Sequence, residues 1–347
     1  MKESFNKLPV ALTQGDPAGI GPEISIKAWF NRKKLSVPPF IYIGDPDILM
    51  FRAKQLNIDI PIYETDCANA VAVFDKYFPI IASSCGLKVR TGIPNPETGS
   101  NTIINIEKAA YLTISRQAIA MVTNPISKYL LYKEKFEFPG HTEFLSEISK
   151  KITGIACKPV MMLAGPRLRT VPVTIHIPLS HVCKSLSKQL IIETCRTVDD
   201  ALKKYFRINS PRIAIAGINP HAGENDTIGS EEQKIISPAI EQLRNENMQV
   251  LGPLPADSMF NLSAIKNYDV AVCMYHDQAL IPVKILDFDK TVNITFGLPF
   301  IRTSPDHGTA FDIAKDLIAR EDSLVSALQM AAKFGHLDID NDNDNQK

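Results

Sequence analysis

The chain reads PVALTQGDPAGIGPE from Pro9 to Glu23. A short apolar run leads into a glycine-rich turn, and the turn is followed by Pro22, whose fixed backbone suits the first position of a helix. The segment therefore predicts a strand, a turn and a helix. It matches neither nucleotide fingerprint, because Ile20 stands where a P-loop has lysine and Ile24 where a dinucleotide-binding turn has its third glycine. An anion-binding turn and a tight structural turn both stay open.

The same alternation continues through the rest of the 347 residues. Further apolar runs of strand length are residues 40–44, 118–123, 171–175, 212–217 and 268–274. The helix candidates are residues 101–117, 142–152, 185–206, 230–247 and 308–334. Strands that alternate with helices are typical of βαβ units around a mostly parallel sheet. The predicted fold class is α/β, and this length suits two domains or one large unit.

The charge balance excludes several kinds of partner. The 38 Lys and Arg residues equal the 38 Asp and Glu residues in number, so the net charge is zero. A nucleic-acid or anionic-membrane partner would require a basic surface. No apolar run reaches the roughly 18 residues of a membrane-spanning helix, and the N-terminus lacks the apolar core of a signal peptide. We expect a cytoplasmic protein without nucleic-acid or membrane partners, and a polar, flexible tail over residues 335–347.

Three of the seven histidines stand at the carboxyl ends of predicted strands. They are His176, His221 and His276, and polar residues that could orient their rings follow them, among them Glu224 and Asp277. Open α/β sheets bind ligands at this edge. Imidazole is the commonest ligand of divalent metals, and three neutral ligands leave positions open for a substrate. The pattern leaves two interpretations about equally supported: the histidines form a metal site, or they are three ordinary loop or core imidazoles.

A second group of residues suggests an anion site. His141 and Thr142 stand at a turn before a helix, where Thr142 could equally be an N-cap. Lys284, Asn293 and Arg302 are embedded in apolar sequence. Because a buried cation needs a partner, the two cations predict either a bound phosphate or carboxylate, or a structural ion pair.

Asp257 is either a further acid of this site or a helix cap. No Ser-His-Asp order and no G-x-S-x-G elbow is present, so covalent catalysis is not supported. The candidates together describe a site for a small anionic molecule and a metal ion that polarises a hydroxyl or carbonyl group. A single three-histidine site lacks the bridging carboxylates of paired-metal hydrolases, which argues against a phosphatase.

Eight segments can also be compared as a set. They are Gly15–Glu23, Thr123–Lys128, Phe138–Glu143, His176–Leu179, Gly217–Glu224, Gly252–Asp257, Tyr275–Gln278 and Phe296–Gly308. In the same order they resemble the 4-hydroxythreonine-4-phosphate dehydrogenase family of pyridoxal phosphate synthesis, over about residues 8–334. One departure concerns a loop: the family has a glycine-containing turn with a few extra residues after the segment matching Phe311–Ala314, whereas Lys315–Arg320 follows directly here.

The resemblance implies a two-domain α/β/α architecture similar to that of isocitrate and isopropylmalate dehydrogenases. The active site is expected in the cleft between two interleaved subdomains, residues 8–130 with 300–334 and residues 131–299. The resemblance also implies a homodimer with active sites at the interface, in which the partner subunit donates one metal ligand.

Residue roles follow from the resemblance as expectations. The histidines that match His176, His221 and His276 bind a divalent cation such as zinc, magnesium or cobalt. The residues expected to contact the substrate are His141, Thr142, Lys284, Asn293 and Arg302. By position, Lys284 or Asp257 is the expected base, and no cofactor-binding residue is assigned.

The implied reaction is an oxidative decarboxylation. With NAD or NADP, 4-phosphohydroxy-L-threonine would be oxidised to 2-amino-3-oxo-4-phosphooxybutanoate, which loses carbon dioxide to give 3-amino-2-oxopropyl phosphate. Two alternatives stay open. One is a related dehydrogenase for another phosphorylated hydroxy acid, such as 4-phosphoerythronate, and the other is a metal-dependent binder of phosphorylated metabolites without catalysis.

Overall fold

The computed structural model of the protein describes residues 8–133, 138 and 140–344. The strands of the described residues are β1 (Val10–Thr13), β2 (Phe40–Gly44), β3 (Ile62–Glu64), β4 (Phe78–Ala82), β5 (Ala120–Thr123), β6 (Val160–Ala164), β7 (Arg169–Pro172), β8 (Arg212–Ala216), β9 (Gln249–Leu254), β10 (Val270–Cys273), β11 (Val292–Phe296) and β12 (Arg302–Pro305).

The α-helices of the same residues are α1 (Gly21–Phe30), α2 (Pro46–Leu56), α3 (Cys67–Val73), α4 (Gly99–Ile114), α5 (Lys128–Lys133), α6 (His141–Thr153), α7 (Leu179–Ser185), α8 (Lys188–Phe206), α9 (Ser237–Asn245), α10 (Ala256–Met259), α11 (His276–Asp287), α12 (Phe311–Ala314) and α13 (Asp322–Asp344). Short 3-10 turns lie at Pro96–Thr98, Pro220–Gly223, Ala264–Asn267 and Phe288–Lys290, and a π-helical turn lies at Glu232–Ile236.

The chain divides into two compact units, one formed by residues up to 158 with those from 298 onward, the other by residues 159–297. In the first unit, the strand order is β3, β4, β2, β1, β5, β12, and every pairing is parallel. In the second unit, the order is β11, β6, β7, β10, β8, β9. There β7, β10, β8 and β9 are parallel, and β6 is antiparallel to both its neighbours. The α/β class is confirmed.

The central strands are buried, as expected where helices cover a parallel sheet on both faces. Every residue of β1, β2, β5 and β10 is buried, which explains their near-continuous apolar sequence. The predicted helix over 142–152 is α6, and the one over 101–117 is α4. None of the described helices has the length and the apolar composition to span a membrane.

The helix predicted over 308–334 is wrong, because α12 and α13 are separated by a loop. Leu317 in this loop has a left-handed backbone, with φ of 58°. The ion pair between Glu23 and Lys27 of α1 holds the loop: Lys27 Nζ donates to Ala319 O at 2.7 Å, and Ala319 N donates to Glu23 Oε1 at 2.9 Å. The loop that departs from the family pattern is thus fixed by two side chains of the first helix.

Residues 335–344, which the sequence assigned to a flexible tail, continue helix α13 in the structure. Phe334 is almost completely buried. Gly335 allows the helix to approach the strand layer so closely that a Cβ atom there would lie 2.5 Å from Ile119 O. Residues 345–347 lie outside the described residues.

The first crossing between the units falls after residue 158 and not at 130, where the sequence placed it. The reason is the apolar face of α6. Phe144, Leu145 and Ile148 are buried in one core cluster with Ile106 of α4 and Met121 of β5. The helix that begins at His141 is therefore part of the first unit.

Candidate functional site

The backbone amides of the glycine-rich turn are mostly hydrogen-bonded within the first unit. Asp16 N donates to Pro125 O at 2.9 Å, and Ile20 N donates to Thr309 O at 3.1 Å. Ala18 N donates to the Asp16 carboxylate at 3.0 Å. Amides with internal partners are not available to an anion, so the geometry favours the structural interpretation of this turn.

A buried arginine supports the turn from the other side. Arg52 of α2 donates to Gly19 O at 3.0 Å and to Pro17 O at 3.3 Å. Burial lowers the pKa of this guanidinium, and the nearby Glu23 carboxylate counteracts the shift. The carbonyl groups of the turn thus stabilise a cation inside the first unit.

Asp16 makes a testable contribution to the pH dependence of stability. Burial raises the pKa of its carboxyl from 3.8 to about 6, although backbone hydrogen bonds from Ala18 and Gly19 oppose the shift. Because folding favours the protonated form, this contribution is present below the unfolded-state pKa and is lost as the pH rises through about 6. The Asp16→Asn variant should therefore gain about 1–3 kcal/mol of stability relative to the wild type at neutral pH.

The measurement is thermal unfolding of both proteins at about pH 4 and about pH 8. The asparagine variant should unfold at a higher temperature than the wild type at the higher pH, and the difference should shrink at the lower pH. An equal difference at both pH values would show that the Asp16 carboxyl has no raised pKa.

The three histidines named from the sequence follow three neighbouring strands of the second unit. His176 lies four residues after β7, His221 lies in the turn Pro220–Gly223 after β8, and His276 is the first residue of α11 after β10. The spatial order β7, β10, β8 places these strand ends side by side. The structure therefore brings the predicted residues to one edge of one sheet.

The rings of His176 and His276 lie near each other, with centroids 6.1 Å apart. Both line a cavity of about 280 Å³ together with Tyr275 and Asp277. His276 Nδ1 lies 2.7 Å from the Asp277 carboxylate. A carboxylate on one ring nitrogen fixes the tautomer and leaves Nε2 to bind a metal ion.

His221 is presented in a different way. Its side chain is 66% exposed, and its Nδ1 lies 3.2 Å from Glu224 Oε2. The backbone of His221 is left-handed, with φ of 54°.

The short helix α10, which carries Asp257, packs against the turn that carries His221. Asp257 is exposed and is not the N-cap of α10, because Pro255 occupies that position.

These residues are suited to a divalent metal ion. Two imidazoles share a cavity, and two of the three rings have a carboxylate on Nδ1, as in known metal sites. In the part of the chain that the structure describes, no three His, Cys, Asp or Glu side chains are grouped closely enough to hold one ion. The described part of one chain therefore offers ligands but not a complete ligand set.

The start of α6 forms a second candidate site, in the first unit. Gly140 is the N-cap, and no side chain in the described part of the chain caps the helix. Thr142 is buried in the first turn, so the N-cap alternative for this residue is wrong. Amide N–H groups at an uncapped helix N-terminus attract anions.

Arg302 of β12 contributes a buried positive charge to the first unit. It is 3% exposed, and its Nε and Nη2 donate to Thr123 Oγ1 at 3.1 and 2.6 Å. Burial lowers the pKa of Arg302 to about 10, and the Glu143 carboxylate opposes this shift. Arg302 remains protonated at neutral pH.

His141 lies within the electrostatic field of two cations. Burial first, and then the charges of Arg302 and Lys128, lower the pKa of His141 well below the usual value, so the imidazole is neutral. Its Nε2 is buried and has no hydrogen-bond partner among the described residues. An unsatisfied buried nitrogen beside positive charges is what a phosphate-binding imidazole would present before its ligand arrives.

Lys128 was not singled out by the sequence analysis. Burial lowers the pKa of its amine, and Glu143 opposes the shift. The signal was present in the segment Thr123–Lys128, which follows β5 and supplies both Lys128 and the hydroxyl that binds Arg302. What the sequence could not show is that β12 brings Arg302 beside this segment.

The remaining candidates lie in the second unit. Lys284 is partly buried on α11. Asn293 is on β11, where its Nδ2 lies 3.4 Å from Met161 Sδ. Asn293 Oδ1 is buried and has no hydrogen-bond partner among the described residues. A ligand that donates a hydrogen bond would satisfy this oxygen.

Comparison with known proteins identifies the family. The family model described as pyridoxal phosphate biosynthetic protein PdxA matches residues 36–331. The chain belongs to the PdxA family. It is 47% identical over 334 residues to the 4-hydroxythreonine-4-phosphate dehydrogenase of Bradyrhizobium diazoefficiens, a match that covers 94% of this chain and 96% of the relative.

Solved structures agree with this PdxA assignment. A crystal structure of 4-hydroxythreonine-4-phosphate dehydrogenase from Klebsiella pneumoniae superposes with a TM-score of 0.80 at 33% identity, covering 95% of this chain and 98% of that chain. A terephthalate 1,2-cis-dihydrodiol dehydrogenase from Burkholderia xenovorans has a TM-score of 0.60 at 26% identity, covering 94% of this chain and 98% of that chain. Relatives of this PdxA chain are thus named dehydrogenases.

Proposed function

We propose that the protein is a metal- and NAD(P)-dependent dehydrogenase of pyridoxal 5'-phosphate biosynthesis. It oxidises 4-phosphohydroxy-L-threonine to 2-amino-3-oxo-4-phosphooxybutanoate, which loses carbon dioxide to give 3-amino-2-oxopropyl phosphate. The observation that carries the proposal is the candidate anion site of the first unit. There buried Arg302 and His141 Nε2, which has no hydrogen-bond partner among the described residues, lie at the start of α6. These groups suit a phosphorylated substrate.

In this proposal the substrate phosphate binds to the first unit. Arg302 supplies a fixed positive charge, neutral His141 donates through Nε2, and Thr142 adds its hydroxyl and its amide at the helix start. Lys128 adds a second charge. Asn293 Oδ1 accepts a hydrogen bond from the substrate, and Lys284 contacts it as well.

His176, His221 and His276 would hold a zinc, magnesium or cobalt ion, with ligands from both subunits of a homodimer. When bound there, such an ion would supply Lewis-acid polarisation of the substrate hydroxyl and of the oxo group formed from it. Asp277 and Glu224 orient the two rings whose Nδ1 atoms they contact. Lys284 or Asp257 accepts the hydroxyl proton when hydride leaves for the nicotinamide, since both are in the second unit with the histidines.

The proposed function is tested by an assay of the purified protein. The protein is incubated with 4-phosphohydroxy-L-threonine, a divalent metal and NAD or NADP, and the absorbance of the reduced cofactor is followed. We expect turnover that depends on the metal and stops when a chelator is added.

The substrate arm of the assay separates related activities. The relative from Burkholderia xenovorans has the same fold and is named a terephthalate 1,2-cis-dihydrodiol dehydrogenase, a name that includes no phosphate. The fold alone therefore does not determine the substrate. A parallel reaction uses 4-phosphoerythronate. Reduction of the cofactor with this acid alone would replace the proposed substrate, and no reduction with either acid would contradict dehydrogenase function.

A further inference from the structure

Glu232 is a buried carboxylate that no role described so far explains. It is 4% exposed and begins the π-helical turn Glu232–Ile236. Its Oε1 accepts Ile218 N at 2.8 Å and Asn219 N at 2.7 Å, and its Oε2 accepts Asn219 Nδ2 at 2.9 Å. Because all three donors lie just before His221, the carboxylate binds the segment that leads into the histidine turn.

Two glycines make room for this carboxylate. A Cβ atom on Gly217 would lie 3.1 Å from Glu232 Oε1, and one on Gly223 would lie 2.7 Å from Oε2. Side chains at these positions would push the carboxylate away. The turn that carries His221 therefore wraps around Glu232 on both sides of the histidine.

The turn requires such support because its backbone is strained. All six residues from 221 to 226 have positive φ, and only Gly223 among them is a glycine. A left-handed backbone is unfavourable for residues that carry a Cβ atom, because this atom then lies too close to the following carbonyl oxygen. Strain of this kind persists only when the surrounding structure holds it, and it is concentrated at functional sites.

Gln278 connects this turn to the second histidine turn. Its Nε2 donates to Gly217 O at 2.7 Å, and its Oε1 accepts Met274 N at 2.7 Å. One side chain on α11 thereby joins the ends of β8 and β10, which lead to His221 and His276. The two turns are coupled through buried polar groups and not only through the exposed rings.

We propose that Glu232 is a positioning residue: its carboxylate fixes the strained turn so that His221 is held ready to bind a divalent metal ion. This inference rests on the proposed function, because it takes the histidines as metal ligands. The hydrogen bonds of Glu232 go to the backbone of Ile218 and Asn219 and to the Asn219 side chain, so the carboxylate acts on the His221 ring indirectly.

The Glu232→Gln variant tests the role. A glutamine offers one acceptor and one donor group, so in either orientation an N–H group faces another N–H group of the turn. We expect the affinity for Co²⁺ or Zn²⁺, measured by titration of the metal-free protein against a chromogenic chelator, to fall by about 10- to 100-fold. Thermal unfolding of the same samples reports the integrity of the fold.

Glu231→Gln is the matched control. It removes the same charge from the neighbouring residue, whose Oε2 accepts Asn219 Nδ2 at 2.8 Å but no backbone amide of residues 218 and 219. The metal affinity of Glu231→Gln should stay within about threefold of the wild type, since this variant leaves the hydrogen bonds from the amides of residues 218 and 219 to Glu232 in place. Equal losses in both variants would show a general charge effect and overturn the inference.

A double variant guards against simple misfolding. In one orientation of the amide introduced by Glu232→Gln, its N–H group faces the Asn219 side chain, and Asn219→Ala removes that opposing donor. The double variant should therefore recover part of the lost affinity. If Glu232→Gln lost affinity because it was misfolded, the second substitution would not restore metal binding. If Glu232→Gln bound the metal as tightly as the wild type does, only the inference about Glu232 would be overturned. If the wild-type protein itself bound no divalent metal, the proposed metal site would be overturned together with the inference.

Discussion

Replacing Arg302 by methionine is expected to lower kcat/KM for the phosphorylated substrate by about 10²- to 10³-fold, which corresponds to about 3–4 kcal/mol. The buried guanidinium is the strongest fixed charge of the proposed phosphate site, and methionine fills similar space without charge. Arg302→Lys keeps the charge but loses the fork of donors, so it should recover only part of the activity. Steady-state kinetics over a range of substrate concentrations measures both effects.

The fold of the methionine variant has to be verified, because the substitution removes two hydrogen bonds to Thr123 Oγ1 and one of the two cations that interact with the Glu143 carboxylate. Its thermal unfolding provides that check. Arg320→Ala is the control, since this exposed arginine pairs with Asp322 outside the site. A methionine variant with kcat/KM within threefold of the wild type would remove Arg302 from substrate binding.

Replacing His221 by alanine is expected to abolish metal-dependent turnover, with a loss of at least about 10³-fold, and to weaken metal retention. The fold should stay intact, because the imidazole is largely exposed. His221→Asn is a second test, since asparagine tolerates the left-handed backbone at this position better than most residues do. Metal content after dialysis and the rate of cofactor reduction are the two measurements.

His336→Ala is the control for this experiment, because it removes an imidazole of α13, far along the chain from the histidine turns. It should keep full metal content and turnover. If His221→Ala retained both as well, His221 would not be a metal ligand.

The predictions from the sequence succeeded where local pattern and topology determine position. Val10–Thr13, Phe40–Gly44 and Val270–Cys273 form buried strands because continuous apolar runs suit a covered parallel sheet. The three histidines lie at one edge because the carboxyl ends of neighbouring parallel strands meet there. Neither result depends on distant side chains.

Three other strands lack such a signal. Ile62–Glu64 is a short, partly exposed edge strand, and Gln249–Leu254 contains Gly252 and Pro253, which usually interrupt strands. Val160–Ala164 is an apolar run with two methionines that fits a helix as well as a strand. Pairing with neighbours, and not composition, makes these segments strands.

Parts of the site were hidden for a similar reason. A glutamate such as Glu232 in a polar stretch usually indicates a solvent-facing helix position, and only the fold shows that it is buried against residues 13 and 14 positions earlier. Lys128 and Arg302 are far apart in the sequence, and only the fold shows that both lower the pKa of His141. Local sequence periodicity does not predict contacts between segments that are far apart in the chain.

The discontinuous first unit has a consequence for synthesis on the ribosome. Its sheet gains β12 only when residues 302–305 have been made, and α13 follows later still. Until then, one edge of β5 lacks its partner strand from the first unit, although all of residues 159–297 has already been translated. The second unit is therefore completely synthesised before the first, whereas an N-terminal domain with a continuous sequence is completed and folds first. The nascent chain carries an open strand edge, a surface prone to aggregation, through most of its elongation.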